Sequence, residues 1–336
     1  MKKLLQTLTE TSGPSGYEDE VREIVRKEVS SLADEIRVDA LGNLIVCKQP
    51  GKAAKPGRKI MIAAQLDEVG VMVSHVDRQG FVRFSPVGNL PRRYLPGSRV
   101  RFLNGTQGVI AASPAGRLDG VDELPTLDQF YIDIGVTGSR DCPVKIGEVA
   151  VFEGPYQELG DRLVAKAMGS RAGILVAIET LRNLKSVPYE LSFVFTTRQE
   201  AGMPGALTSA HGVDPDIGIA LDGVPADDMP QSGGARIALG KGPCVIVQDA
   251  GMIADTRLVT SMTSTEHKNK IPYQRAVLAS ESSAASAIQL ARAGVLSGRL
   301  SVPVRYLHSS SEMVDISDVQ NAVRLLSAIL YSRIEV

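Results

Sequence analysis

The sequence predicts an α/β protein in which a smaller all-β unit interrupts the main sheet. Two continuous apolar runs, 59–64 and 191–195, are typical of strands that are buried on both faces. Apolar residues recur at helical spacing in 174–181 and 319–330, as they do in helices that cover such a sheet. Between residues 71 and 160 the apolar runs are short and turn signals are frequent, which favours a separate β unit.

The segment before the first buried strand predicts a helix and a hairpin. Ser15 and Glu18 have the spacing of a capping box, and apolar residues follow at helical spacing to about Ser30. The runs 36–38 and 44–46 flank the residues DALGN, so we expect these two runs to pair as a hairpin.

Turn signals and chain order place the β unit between two halves of the α/β part. Asn104 and Gly105 are a strong hairpin turn pair between two short apolar runs. We expect a discontinuous α/β domain at 1–68 and 163–336, with an inserted barrel-like domain at 69–162.

The last third of the chain returns to the α/β pattern. The run 217–221 predicts a strand that ends at Asp222, and 300–306 predicts another strand. Residues 286–293 are expected to form a helix, and Ser317 is expected to cap the final helix.

Composition argues against several classes of function. The 336 residues are 43% hydrophobic and 22% charged with a formal net charge of −1, which argues against nucleic acid or a polybasic membrane surface as a partner. No apolar run approaches the length of a membrane span, and the first residues, MKKLLQTLTETSG, lack the features of a signal peptide. The three cysteines are widely spaced without a CxxC pair, which fits reduced thiols. We therefore expect a cytoplasmic protein.

Polar side chains follow four of the predicted strands. They are Gln65, Asp67, Glu68, Gln199, Glu200, Asp222 and His308. Each alone is compatible with an ordinary loop, a turn or a hydrogen-bonded polar residue. The carboxyl ends of strands in an open α/β sheet are where ligands collect, so we expect these side chains to meet. Carboxylates and an imidazole are the ligands that a zinc, cobalt or manganese site requires.

Eight motifs spread along the chain carry a family resemblance. They are SGPSGYEDEVR at 12–22, DALGNLI at 39–45, DEVGVMV at 67–73, IDIG at 132–135, TTRQEAG at 196–202, DPDIGIALD at 214–222, IPYQ at 271–274 and RYLHSSSEMVDISDV at 305–319. Together they resemble the tetrahedral (TET-type) aminopeptidases, metallopeptidase family forty-two, some members of which are labelled endoglucanases.

The resemblance implies a fold, an activity and an assembly. The fold is a three-layer sheet-and-helix aminopeptidase domain of the phosphorylase/hydrolase-like type, with a small inserted all-β dimerisation domain. The activity is removal of N-terminal residues from short peptides by a dinuclear zinc or cobalt centre. The assembly is a homo-oligomer of dimers, completed as a hollow tetrahedral dodecamer.

The resemblance also implies roles for four retained residues. Glu200, Asp222 and His308 match metal-ligand positions of the family. Asp67 matches a carboxylate that supports a ligand without touching the metal. A further departure falls at 280–287, where SESSAASA replaces a glycine-rich segment beside the site.

Three positions of the family site are substituted in this chain. Gln65 stands where the family has a ligand histidine, Gly169 where it has the aspartate that bridges both metals, and Gln199 where it has the general base. Glycine supplies no donor atom, and catalytic zinc normally needs three protein ligands. The amide of Gln199 cannot accept a proton from metal-bound water, and general base catalysis is worth about 10²–10⁴-fold. Restoring all three residues together is therefore expected to recover metal binding.

Three hypotheses follow from these substitutions. The first is a family member without dinuclear-metal hydrolysis, with no metal or one weakly bound ion, that binds short peptides or assembles with an active paralogue. The second is an active aminopeptidase with a rebuilt site, with one metal on Glu200 and His308 helped by Asp222 or Glu68. The third is a glycoside hydrolase, which would need a pair of carboxylates at a defined separation.

Overall fold

An eight-stranded mixed sheet forms the centre of the α/β part in the computed structural model, which describes residues 1–51, 57–112, 124–230 and 236–334, with backbone alone at 265–269. The helices are α1 (Lys2–Glu10), α2 (Asp19–Val29), α3 (Met168–Asn183), α4 (Pro204–Val213), α5 (Thr256–Asn269), α6 (Ala284–Ile288) and α7 (Ile316–Tyr331). Within the described residues, no helix combines the length and the hydropathy that a membrane crossing requires.

The strands of the described part are numbered in chain order. They are β1 (Glu35–Val38), β2 (Leu44–Lys48), β3 (Lys59–Gln65), β4 (Gly70–Val76), β5 (Val82–Val87), β6 (Arg99–Phe102), β7 (Gln107–Ala112), β8 (Phe130–Asp133), β9 (Val149–Phe152), β10 (Gln157–Leu159), β11 (Arg162–Ala165), β12 (Glu190–Thr196), β13 (Ile217–Pro225), β14 (Cys244–Gln248), β15 (Gln274–Val277), β16 (Leu296–Val304) and β17 (Glu312–Asp315).

Four parallel strands make the middle of the sheet, whose order is β1-β2-β12-β3-β13-β16-β14-β15. Strands β12, β3, β13 and β16 run in the same direction, so their carboxyl ends reach the same edge. The hairpin predicted from 36–38 and 44–46 is confirmed, because β1 and β2 pair in antiparallel register. Strands β3 and β12 are buried almost throughout, as their continuous apolar runs predict.

Helix α3 lies against the middle of the sheet and is buried along most of its length. Its close approach to β13 requires Gly173, because a Cβ there would lie 2.7 Å from the carbonyl oxygen of Leu221. The same approach brings Gly169, in the first turn of α3, against Gly223 of β13. The position of this helix therefore fixes the wall of the site described below.

The inserted β unit is a closed barrel with strand order β4-β5-β8-β7-β6-β9. It has its own hydrophobic core, separate from that of the α/β part. The turn predicted at Asn104 and Gly105 is confirmed, since it joins the antiparallel strands β6 and β7 and Gly105 has φ +91°. Strands β10 and β11 form a separate sheet with β17, and the boundaries expected for the insertion, 69–162, stay a prediction.

Both predicted helix caps are wrong. The Ser15 hydroxyl donates to the Asp67 carboxylate and not to the first turn of α2, which begins without a side-chain cap. The side chain of Glu18 accepts a hydrogen bond from the backbone N–H of Arg198, so it ties the loop before α2 to the loop after β12. At α7 the cap is Asp315, whose carboxylate accepts the N–H of Ser317 at 2.7 Å.

Three predicted elements also differ from the structure in their extent. The strand expected at 300–306 begins and ends earlier, since β16 covers Leu296–Val304. Strand β13 does not stop at Asp222 but continues to Pro225, because β16 runs beside it as far as Val304 and extends the backbone ladder. The helix expected at 286–293 is shorter and earlier, since α6 covers Ala284–Ile288.

Gly173→Ala is expected to destabilise the fold, because the new Cβ would press on the Leu221 carbonyl, a backbone atom with no freedom to move aside. Overpacking of this kind costs about 1–3 kcal/mol, which a urea unfolding curve followed by circular dichroism measures. Gly212→Ala on α4 is the matched control, since an added Cβ there meets nothing within 4 Å. Equal unfolding midpoints for the two variants would contradict the close contact.

Candidate functional site

A cavity of about 320 Å³ opens where the parallel strands of the sheet end. Seven of the positions singled out from the sequence line it, namely Gln65, Glu68, Gly169, Gln199, Glu200, Asp222 and His308. Glu281 and Glu312 add two further carboxylates to the wall. The motifs that lie far apart in sequence therefore meet in one place.

Asp67 lies behind the cavity wall and positions Glu200. Its carboxylate is fully buried and accepts the backbone N–H of Glu200 at 2.9 Å, together with the Ser15 hydroxyl. Burial, followed by the neighbouring Glu200 carboxylate, raises the pKa of Asp67 to about 7. Asp67 is thus placed to support Glu200 rather than to reach a ligand in the cavity.

Two glutamine side chains form a hydrogen-bonded chain that ends on Glu200. The side-chain amide of Gln199 donates to the carbonyl oxygen of Gln65, and Gln65 Nε2 donates to Glu200 Oε1 at 3.1 Å. Burial raises the pKa of Glu200, while the hydrogen bonds from Gln65 and from the backbone N–H of Asn89 oppose that shift. Gln65 therefore links Gln199 to an oxygen of Glu200, while Gln199 Oε1 is buried without a hydrogen-bond partner among the described residues.

Arg299 of β16 is a member of the site that sequence reasoning missed. The side chain is 1% exposed and lines the cavity, where its Nε lies 3.0 Å from Asp222 Oδ1. Burial raises the pKa of Asp222, and Arg299 followed by Ser301 lowers it. The predicted strand began at residue 300, so Arg299 stood outside it. An arginine beside an apolar run was the available signal, because a buried arginine needs a partner.

Glu312 is the second residue of the site that sequence reasoning missed. It binds the backbone of two residues that were singled out from the sequence. The buried carboxylate accepts the N–H of Gly169 at 2.7 Å and the N–H of His308 at 2.7 Å. Burial raises the pKa of Glu312, and the nearby His308 opposes that shift. Glu312 thus joins the first turn of α3 to the loop that carries His308.

Gly169 is packed too closely for a larger side chain to enter without adjustment. A Cβ built on Gly169 would lie 3.0 Å from Leu307 Cδ1 and 3.3 Å from the Cα of Gly223. A Cβ on Gly223 would in turn lie 2.7 Å from the Cα of Gly169. The position at which the family resemblance implies a bridging ligand therefore holds a close contact between two glycines.

Left-handed backbone recurs at non-glycine residues around the cavity. The residues are Ala167 (φ 54°), Arg198 (φ 57°), Met203 (φ 62°), Tyr306 (φ 59°) and His308 (φ 64°), and three of them line the wall. Such conformations are uncommon for residues with a Cβ and cluster at functional sites. The loops after β11, β12 and β16 thus hold backbone conformations that are unfavourable for residues with a Cβ.

The donor groups of this cavity do not fit a dinuclear metal centre. Across the described ranges, no three or more His, Cys, Asp or Glu side chains are grouped so that they could hold a metal ion. Asp222 is paired with Arg299, and an oxygen of Glu200 is engaged by Gln65. Glu68, considered as a helper for a single ion, is paired with Lys166 at 2.7 Å. Glu68 and Asp222 are therefore already balanced by protein cations, and among the described residues the other acidic side chains of the wall are not grouped as a zinc site requires.

The sheet, the inserted barrel and the placement of the cavity define an aminopeptidase-type α/β protein. A family model described as M42 glutamyl aminopeptidase matches residues 42–325, and the chain belongs to this family. A putative aminopeptidase of Acetivibrio thermocellus is 40% identical over 328 residues, which is 97% of this chain and 97% of that protein.

Solved structures confirm the expected fold. An aminopeptidase of the archaeon Desulfurococcus kamchatkensis superposes with a TM-score of 0.92 at 33% identity, covering 99% of this chain and 95% of that one. The TET1 peptidase of Pyrococcus horikoshii, which can assemble into a tetrahedron or a large octahedral shell, superposes with a TM-score of 0.84 at 29% identity. That comparison covers 98% of this chain and 99% of the other.

Restoring Gln65→His, Gly169→Asp and Gln199→Glu together is expected to recover less metal than the sequence suggests. The structure adds a fourth obstacle, because Arg299 still occupies Asp222 in that variant. Adding Arg299→Leu should therefore raise the zinc bound per chain, measured by inductively coupled plasma mass spectrometry after dialysis. The single reversions are the controls, and stoichiometric zinc in any of them would contradict this reading.

Proposed function

We propose that this chain has lost dinuclear-metal peptide hydrolysis and uses its cavity to bind the amino-terminal end of short peptides. The observation that carries the proposal is the ion pair between Asp222 and Arg299. The positive charge that balances this carboxylate comes from the protein itself and not from a metal ion. Gln199 supports it further, because an amide at the position of a general base cannot take a proton from water. The chain is then a family member in fold and cavity, and not a working metallopeptidase.

The charge of the cavity favours a ligand with an amino group. Glu200, Glu281 and Glu312 line it, and none of the three forms an ion pair with a lysine or arginine among the described residues. Hydrogen bonds between an ammonium group and carboxylates are among the stronger polar contacts in proteins. The free amino terminus of a peptide supplies such a group, and the left-handed loops preserve a shaped wall around it.

The proposal includes self-assembly in the cytoplasm. The shell formed by the TET1 relative supports a homo-oligomer, built on dimers through the inserted region 69–162 and completed as a tetrahedral dodecamer. An active paralogue in the same shell is a further candidate partner. The three cysteines, Cys47, Cys142 and Cys244, are free thiols, which is consistent with a reducing compartment.

The alternative is an active aminopeptidase with a rebuilt site that holds one zinc or cobalt ion. Glu200 and His308 favour it, because both line the same cavity and both are metal-binding side chains. In that case the two residues would hold the ion weakly, and the ion would supply Lewis acidity to a peptide carbonyl. An assay of amino-acid release distinguishes the two candidates.

A tripeptide with a free amino terminus is expected to bind the protein at least about tenfold more tightly than its N-acetylated form, because acetylation removes the charge-assisted hydrogen bonds. Isothermal titration calorimetry measures both affinities. Glu200→Gln should weaken binding of the free tripeptide, whereas Glu23→Gln, on the exposed face of α2, should leave it unchanged.

The same samples test hydrolysis. No release of amino acids is expected from the tripeptide in added zinc or cobalt. Steady turnover that depends on metal would establish the alternative, and equal affinity for the free and acetylated peptides would refute amino-terminal recognition.

Multi-angle light scattering at micromolar concentration is expected to give a mass that is an even multiple of the 35.8 kDa chain. The reason is that dimers are the proposed building block of the shell. A monomeric mass under these conditions would count against the assembly.

A further inference from the structure

Arg299 sits between two buried aspartates on the strands that flank its own. Asp222 belongs to β13, and Asp249 directly follows β14, so β16 presents the arginine between them. The exposed fractions are 1% for Arg299, 6% for Asp222 and 2% for Asp249. We call these three side chains the Arg299 triad.

The guanidinium group is bonded on several sides within the triad. Its Nε donates to Asp222 Oδ1 and to Ser301 Oγ at 3.0 Å each, and its Nη1 lies 3.4 Å from Asp249 Oδ2. Its Nη2 donates to the carbonyl oxygen of Gly223 at 3.0 Å. These contacts hold the planar group in one orientation at the cavity wall.

Two serine hydroxyls complete the carboxylates of the triad. Ser301 donates to Asp222 Oδ1 at 2.5 Å, and Ser283 donates to Asp249 Oδ2 at 2.8 Å. Each aspartate therefore has a hydroxyl and a cation as partners. The hydrogen bonds and ion pairs of these two carboxylates are therefore supplied by protein atoms.

The neighbouring cations are committed elsewhere. Lys166 and Arg171 both pair with Glu68, at 2.7 Å and 3.3 Å. In the described part of the chain, the lysine and arginine ion pairs of Asp222 and Asp249 come from Arg299. Without Arg299 two carboxylates would be buried with no counter-charge, which is among the most destabilising changes that a protein core can undergo.

We infer that Arg299 is a built-in cation, which takes over from a bound metal the task of balancing Asp222 and its neighbour Asp249. The cavity then keeps its shape in the absence of metal. Removing the guanidinium creates a cation site between Asp222 and Asp249, which a small guanidinium compound or a divalent metal ion can fill. The inference rests on the proposed loss of the metal centre, but it is independent of peptide binding, which the experiment below does not involve.

The test compares melting temperatures of the wild type and Arg299→Ala, each purified with EDTA. The wild type is expected to melt at the same temperature with EDTA, with manganese chloride and with methylguanidinium chloride. Arg299→Ala should melt several degrees lower, and methylguanidinium or manganese should raise its melting temperature saturably at low millimolar concentration. Equal ionic strength in sodium chloride separates specific binding from screening. The two additives show which kind of cation the new site accepts.

Three further variants separate charge from packing. Arg299→Met restores volume without charge and should remain as unstable as Arg299→Ala, whereas Arg299→Lys should recover part of the loss. Arg305→Ala is the matched control, because Arg305 also pairs with an aspartate, Asp228 at 2.7 Å, but its side chain is 24% exposed. It should lose little stability and show no response to either additive.

Several results would overturn the inference. A wild type that loses stability in EDTA would show that a metal is still needed. An Arg299→Ala protein that melts like the wild type would show that the charge is unimportant. One that melts lower but responds to neither additive would show that no cation site is created between Asp222 and Asp249. If Arg299→Ala does not fold, the neutral triple variant Arg299→Met, Asp222→Asn, Asp249→Asn decides. Its recovery of a soluble fold supports the inference, and its failure would assign the loss to packing.

Discussion

Compensation of buried carboxylates is the constraint on which this structure depends. Parallel strands deliver acidic side chains to one edge of the sheet, where they are shielded from water and costly to leave unpaired. Each buried carboxylate is stabilised by its own set of partners. Glu68 is paired with Lys166 and Arg171, Asp222 is paired with Arg299, and Glu200 receives hydrogen bonds from neutral amides. Glu68 and Asp222 are therefore balanced by protein cations, whereas Glu200 is stabilised by hydrogen bonds without a counter-charge from a described lysine or arginine.

The inserted barrel takes part in the same balance. The backbone N–H of Asn89, which follows β5, donates to Glu200, and Asn89 lines the cavity. Gly88 makes this approach possible, because a Cβ there would lie 2.5 Å from Glu200 Oε2 and its φ is +89°. The geometry of Glu200 is thus set from both parts of the chain. A shift of the barrel relative to the sheet would change the hydrogen bonding of this carboxylate.

How far the sequence predicts the molecule depends on the range of the interactions. Local sequence patterns predict strands β3 and β12 and the hairpin turn at Asn104. The position of polar residues at the ends of predicted strands also predicts that these side chains meet. The pair between Arg299 and Asp222 depends on β16 lying next to β13, a strand order that local patterns do not encode. The cap predicted at Ser15 and Glu18 fails for a related reason, because these side chains bond to the distant residues Asp67 and Arg198 instead of their own helix.

The two outer strands of the large sheet bear on solubility. Strands β1 and β15 are each four residues long, and both carry charge on the exposed edge, as Glu35 with Arg37 and as Arg275. Short charged edges resist pairing with strands of other molecules, and the closed barrel has no free edge to offer. Strand-to-strand aggregation through the large sheet or through the barrel is therefore disfavoured. Copies of a protein with these edges can be packed at high local concentration, as inside a shell of many copies, without their large sheets pairing edge to edge.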